Sequence, residues 1–160
     1  MHNLAPSIPP IVAGDVARGV ARLLWRAQIA TLAEVPLANG RRADLVGIGL
    51  DGRVTLVEIK VSLADLRADG KWRDYLDHCD RFFWAVPIGF PCLDFEAVAF
   101  APERAGLIVA DRWDAAEVRP AAWVPLATGR RKAETLRFAH RAAQRLLLLG
   151  DPGAAHPGFD

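Results

Sequence analysis

Sulfur is scarce in this chain: Cys79, Cys92 and a single methionine are all it contains. Two cysteines cannot build a disulfide framework, and their spacing suggests no zinc site, so both are expected to be buried thiols. Long apolar runs are missing as well. No segment approaches the ~20 consecutive apolar residues of a membrane span. Met1 to Pro10 lacks the basic stretch and apolar run of a secretion signal, which predicts a cytoplasmic protein. Surplus charge is the third absence. With 20 basic and 19 acidic residues the formal net charge is +1, so composition alone points to no polyanionic partner and any such case rests on local placement.

Apolar residues are plentiful, 52% of 160 with five Trp, enough for the core of about one domain. The prediction is a single domain over residues 11–149, with flexible ends at 1–10 and 150–160. From Ile11 to Gln28, Val12, Val16, Val20, Leu23, Leu24 and Ala27 fall at helical spacing, and Asp15 suits a capping role in the first turn. Three β-rich runs follow, Ile29 to Val35, Arg42 to Ile48 and Val54 to Val61. Pro36, Asn39-Gly40 and Asp51-Gly52 divide them, the pattern of a three-strand meander. Ser62, with Asp65 three residues on, predicts the N-cap of a helix that reaches about Asp77 and is interrupted or bent near Gly70. Arg81 to Val86 and Gly106 to Ala110 are further strands, with a Pro- and Gly-rich stretch, Ile88 to Pro102, between them. A last helix spans about Arg131 to Leu149. The order helix, three-strand meander, helix, strand, strand, helix indicates an α/β fold, a mixed β-sheet flanked by α-helices.

Along the third strand, alternation places Glu58 and Lys60 on one side with Val54 and Leu56, and Val57, Ile59 and Val61 on the other. Charges at the end of an apolar strand are costly unless compensated. Asp44, in the strand before, is a second lone carboxylate in an apolar run. A three-residue hairpin, Leu50-Asp51-Gly52 with Gly52 left-handed, sets Gly49 opposite Arg53 and, counting back, Asp44 opposite Glu58 on the same face. A two-residue Asp51-Gly52 loop would instead set Asp44 opposite Ile59, on the wrong face. The three-residue loop is predicted. Facing carboxylates repel unless one is protonated or a cation lies between them. Magnesium, a hard ion that commonly takes one or two carboxylates and keeps positions for water and phosphate, resolves the conflict. Lys60 would then position the water or neutralise the phosphate as charge develops, which makes a phosphodiester hydrolysis site. The competing reading is a surface ion-pair network of little energetic consequence.

Ala43-Asp44 followed by Glu58-Ile59-Lys60 resembles the PD-(D/E)XK nuclease superfamily, with Ala43 where the superfamily's name has Pro. A longer ordered set is similar to the MmcB family of DNA-repair endonucleases over most of Val12 to Leu149. It comprises Arg41-Arg42-Ala43-Asp44, Glu58-Ile59-Lys60, Asp69-Gly70-Lys71-Trp72-Arg73-Asp74-Tyr75, Cys79-Asp80-Arg81-Phe82, Gly106 to Asp111 and the basic last helix. The resemblance implies a restriction-endonuclease-like fold and a DNA nuclease working in repair, with magnesium or manganese as cofactor and DNA as partner. By the same resemblance Asp44, Glu58 and Lys60 are catalytic, and Asp44, Glu58 and the backbone carbonyl of Ile59 hold the metal. Glu34 is a third acidic candidate. Lys71 and Tyr75, four apart on a helix face, resemble the Gln-x-x-x-Tyr motif of some of these nucleases with Lys in place of Gln.

Candidate contacts to DNA phosphates are Arg41 and Arg42 beside a strand and Arg130, Arg131 and Lys132 near the last helix, although taken singly such clusters are more often solvated surface. On that helix Arg137, Arg141 and Arg145 form a basic stripe, while Leu136, Ala139, Ala143, Leu146 and Leu147 form an apolar face. Leu146 to Leu149 either close the core or, if exposed, form a homodimer interface. Trp72 is expected to dock its helix onto the sheet. His78 and Cys79 point in different directions on a helix, and Cys92 and His140 lack partner spacing, so neither pair is read as a site. The alternative function is a catalytically inactive module that keeps the nuclease fold to bind DNA or dock a partner.

Overall fold

The structure, a computed structural model, describes residues 9–155. Six strands lie in one sheet in the order β1 (Ile29–Pro36), β2 (Arg42–Gly49), β3 (Val54–Ile59), β4 (Arg81–Pro87), β5 (Ala105–Ala110) and β6 (Ala115–Arg119). The first three form an antiparallel meander, β3, β4 and β5 run parallel, and β6 returns antiparallel along β5. Helices α1 (Ala13–Arg26), α2 (Leu63–Ala68) and α3 (Thr128–Gly150) flank it. Parallel neighbours need crossovers over a sheet face. Here α2 and a 3-10 segment, Trp72–His78, join β3 to β4, and 3-10 turns at Cys92–Glu96 and Val98–Phe100 join β4 to β5. A mixed open sheet with flanking helices is consistent with the restriction-endonuclease-like fold. Among the described residues no helix is long and apolar enough to cross a membrane.

Strand alternation builds two cores. On one face Val54, Leu56, Phe82, Trp84 and Val86 pack with Trp72, Tyr75 and Phe95 from the crossovers; on the other Val57, Ile59, Phe83, Ala85 and Ile108 pack with Val16, Val20 and Leu24 of α1. Trp84 meets Trp72 and Phe82 edge-on, each at 5.1 Å between ring centroids, so Trp72 docks its segment as the sequence suggests. Gly19 lets α1 sit close to the β5–β6 loop: a Cβ there would lie 2.5 Å from the carbonyl oxygens of Asp111 and Asp114.

Four features refine or extend what the sequence indicates. β6 is a largely exposed edge strand, Ala-Ala-Glu-Val-Arg, which offers neither an apolar run nor clean alternation. The segment after β3 is interrupted near Gly70 as predicted, where the Asp69 side chain accepts the Lys71 N–H at 3.2 Å, a local bond that competes with the helical one, but its second half is a 3-10 helix rather than an α-helix. α3 starts at Thr128 and runs to Gly150, Pro152–Ala154 adds a 3-10 turn, and the Pro9 carbonyl accepts from Arg112 at 2.7 Å. Of the predicted flexible ends, residues 1–8 and 156–160 lie outside the described part. Finally, α3 leaves exposed the leucines that the sequence allows either to close the core or to form an interface. Its basic stripe faces the domain while its leucines face out. An ionic network does the docking: buried Glu134 meets His78 Nδ1 at 2.7 Å and also pairs with Arg137, and Arg145 donates to the Glu34 carbonyl at 3.0 Å.

Candidate active site

The β2–β3 hairpin fixes the site. The Gly49 N–H donates to the Arg53 carbonyl at 3.1 Å, the Gly52 N–H donates to the Gly49 carbonyl at 3.0 Å, and Gly52 takes φ +76, the three-residue loop expected from the sequence. Leu45 pairs with Val57, so the next step places Asp44 opposite Glu58. The regular ladder stops there. An unbroken ladder would give the Ile59 N–H to the Ala43 carbonyl, but Asp44 Oδ2 takes it at 2.7 Å. β1 is disturbed at the same level, since pairing skips from Ala33 with Leu45 to Val35 with Ala43. Glu34, in the gap, holds φ +54, a left-handed conformation uncommon outside glycine that clusters at functional sites.

Glu58 and Lys60 project from β3 on the side of the aromatic core and are 7% and 4% exposed. Lys60 Nζ lies 3.2 Å from Glu58 Oε1, 2.7 Å from Asp69 Oδ2 and 3.9 Å from Asp65 Oδ2. The second Glu58 oxygen, Oε2, is buried without a hydrogen-bond partner. Burial, reinforced by the Asp44 charge and opposed by Lys60, pushes the Glu58 carboxyl up to about 8. Burial also raises Asp44. The Ile59 N–H, Lys60 and Arg42 work against that rise, and Glu34 adds to it. For Lys60 burial acts to lower the ammonium, but Asp69, Glu58 and Asp65 together outweigh it and hold it above the ordinary lysine value, so its proton stays.

An open cleft of about 560 Å³ reaches Glu58 and Asp69 of this group, with Arg41, Gly70, Lys71 and Tyr75 also in its lining. Lys71 precedes the 3-10 segment rather than sharing an α-helical face with Tyr75, yet both reach the cleft. Tyr75 donates to the Arg42 carbonyl at 3.1 Å, and burial pushes its phenol above the ordinary tyrosine value. Arg41 is paired with Asp74 at 2.8 Å and Arg42 with Glu34 at 2.6 Å.

Other predicted residues fall elsewhere. Asp15 accepts the Val12 N–H at 3.2 Å at the start of α1, a capping contact away from the cleft. Arg131 is not free for phosphate: its guanidinium lies 2.5 Å from Asp80, whose buried carboxylate also accepts the Val54 N–H at 2.7 Å. That anchors the Arg130, Arg131 and Lys132 group beside the start of β3, about 13 Å along the strand from Glu58 at ~3.3 Å per residue. Asp69 is the partner that sequence reasoning did not single out. Its one signal is that a buried lysine needs a carboxylate beyond its own strand. A separate cavity of about 360 Å³, where Arg53 and Arg81 lie over the Trp123 ring, sits at the hairpin end of the sheet, remote from these carboxylates.

Residues 10–153 match the family described as MmcB-like, DNA repair protein MmcB-like. The chain belongs to the MmcB-like DNA repair protein family. Among solved structures it is similar to the SPO1766 protein of unknown function from Silicibacter pomeroyi, with 40% identity and a TM-score of 0.81 over 96% of this chain and 99% of that one. No curated protein matches the chain. Family membership thus gives the MmcB-like chain a place in DNA repair. What its cleft offers a cation follows from the donors present. Among the described residues no three His, Cys, Asp or Glu side chains cluster as a metal site. A cation here would have two carboxylates and a backbone carbonyl, a donor set that suits magnesium, which binds few protein oxygens and keeps its waters. The unpartnered Glu58 Oε2 and the elevated Asp44 and Glu58 carboxyls fit a missing positive charge between them.

Proposed function

We propose that this MmcB-like protein is a divalent-metal-dependent DNA nuclease that hydrolyses phosphodiester bonds at the cleft of Asp44, Glu58 and Lys60. The observation that carries it is a buried glutamate set against a second carboxylate, one oxygen unpartnered, on the floor of an open cleft. As a purely structural device this arrangement costs stability, because desolvation and like-charge repulsion both act against it. Asp44, Glu58 and the Ile59 carbonyl would hold magnesium or manganese, which when bound supplies a Lewis acid and a water of lowered pKa.

The chain's own groups account for the remainder. Lys60 keeps its proton and presents a fixed charge toward phosphate oxygens that grow more negative during attack, and Asp69 holds that ammonium in place. Lys71 and Arg41, on the rim, meet flanking phosphates. Tyr75, tied to the Arg42 carbonyl, fixes the wall between β2 and the 3-10 segment. Glu34 lies close enough for its charge to act on Asp44, which suits a supplementary acidic role.

Incubation of single-stranded, duplex, branched and damaged DNA with magnesium or manganese, wild type beside Glu58→Gln, tests the assignment. Cleavage that needs metal and vanishes in Glu58→Gln is expected. The absence of cutting on every substrate, with salt-sensitive DNA binding indifferent to chelator and to Asp44→Ala, would make the protein a binding module instead.

A further inference from the structure

α3 meets the rest of the molecule through Glu134, Arg137, Phe138, Arg141 and Arg145, all buried or half-buried. These are the b, c and f positions of a heptad in which Leu136 and Ala143 are a and Ala139 and Leu146 are d. The a and d positions are all exposed, Leu136 to 60% and Leu146 to 71%, and Leu147 and Leu149 beside them reach 57% and 83%. A leucine face of this extent is uncommon on a free monomer.

We propose that this face binds a second copy of the chain, with α3 packed antiparallel on the partner's α3 about a twofold axis at the level of residue 141. The first reason is self-complementarity. An antiparallel pair centred there sets Leu136 against the partner's Leu146 and Ala139 against the partner's Ala143. The seam reads Leu, Ala, Ala, Leu from either end, as a twofold contact requires. The central alanines let the two axes approach toward the close end of the usual 8–10 Å range. The second reason is charge. α3 begins with Arg130, Arg131 and Lys132, has no acidic residue in its first turn and no basic residue in its last, so its own side chains oppose or ignore the helix dipole. Antiparallel pairing brings Lys132 to the carbonyl end of the partner's helix and toward the partner's Asp151, whereas parallel pairing would stack like charges. Extent sets the strength of the pairing. From Lys132 to Gly150 the helix is about 28 Å long at ~1.5 Å per residue. With ~10 Å of width on each copy, the strip comes to roughly 560 Å² over both copies, the size of a weak, reversible contact rather than of a permanent dimer.

Sedimentation of the full chain over roughly 1–100 μM tests this. A concentration-dependent species of twice the 17.4 kDa chain mass is expected, and Leu146→Glu or Ala139→Glu, both at exposed positions, should leave circular dichroism unchanged and shift dissociation at least about tenfold toward monomer. Orientation is read by oxidation in a Cys92→Ser background. Leu136→Cys and Leu146→Cys proteins, mixed, should cross-link to each other, and neither should cross-link to itself. A monomer throughout the range, a dimer unaffected by both glutamate variants, or self-cross-linked Leu136→Cys protein would each overturn the proposal.

Discussion

Glu58 holds its proton far beyond the ordinary glutamate range because its carboxyl is buried and faces Asp44. The folded value, about 8, lies above the ordinary 4.5, so between those limits the folded chain binds a proton that the unfolded chain does not. Stability should therefore be highest below about pH 4.5 on this group's account, fall as pH rises, and reach its floor above about 8. Thermal melts in chelator across that window should show a steeper fall for the wild type than for Glu58→Gln, and magnesium at the upper end should restore the wild type alone. Lys60 behaves differently. Lys60→Ala leaves the Asp69 carboxylate without its counter-charge and Glu58 without a hydrogen-bond donor, and a loss of about 3–5 kcal/mol is expected in denaturant titrations. Asp69→Asn keeps the hydrogen bond but not the charge, and should lower kcat about tenfold with little change in KM if Asp69 positions Lys60. Much of this site was legible in the sequence, because alternation and a Gly hairpin suffice to bring Asp44, Glu58 and Lys60 together. Asp69 was not, since its approach to Lys60 depends on where the chain turns after α2.

Elements with an apolar period declared themselves, and those held by polar contacts did not. The helical spacing of Val16, Val20 and Leu24 gave α1 its inward face, and the meander strands fell within a residue or two of their predicted limits. β6 escaped detection because an edge strand needs no apolar side chain. α3 was placed, but its periodicity left open whether the leucines close the core or stand exposed; they stand exposed, and Glu134 with His78 and Arg137 provides the anchor. Its docking is accordingly sensitive to charge. Glu134→Ala should cost about 3–5 kcal/mol by denaturant titration, since it strands a buried His78 and a half-buried Arg137. At α1, Gly19→Ala should cost about 1–3 kcal/mol, because the added methyl meets backbone oxygens that cannot turn away.

At the scale of the molecule, a chain of net charge +1 cannot draw DNA by its overall field, so binding must come from the few cations around the cleft. Lys71→Ala should reduce the slope of log affinity against log salt by about 0.9, the contribution of one phosphate contact. Arg131→Ala, by contrast, should lower the melting temperature and leave that slope alone, as its guanidinium is committed to Asp80. The sheet also explains why a single cleft matters. Antiparallel β2 and parallel β4 both border β3, and at its end the ladder gives way to Asp44, so the strand that bears Glu58 and Lys60 is held on both sides where its charges meet solvent.

Calorimetric titration of manganese into the folded chain at about pH 7, repeated in buffers of different ionisation enthalpy, addresses the acidic pair most directly. One ion per chain should bind with release of close to one proton, since a Glu58 carboxyl at about 8 is mostly protonated there, and Glu58→Gln should show no such heat. Undiminished binding by that variant, or none by the folded wild type, would contradict the assignment of Asp44 and Glu58 as a cation site.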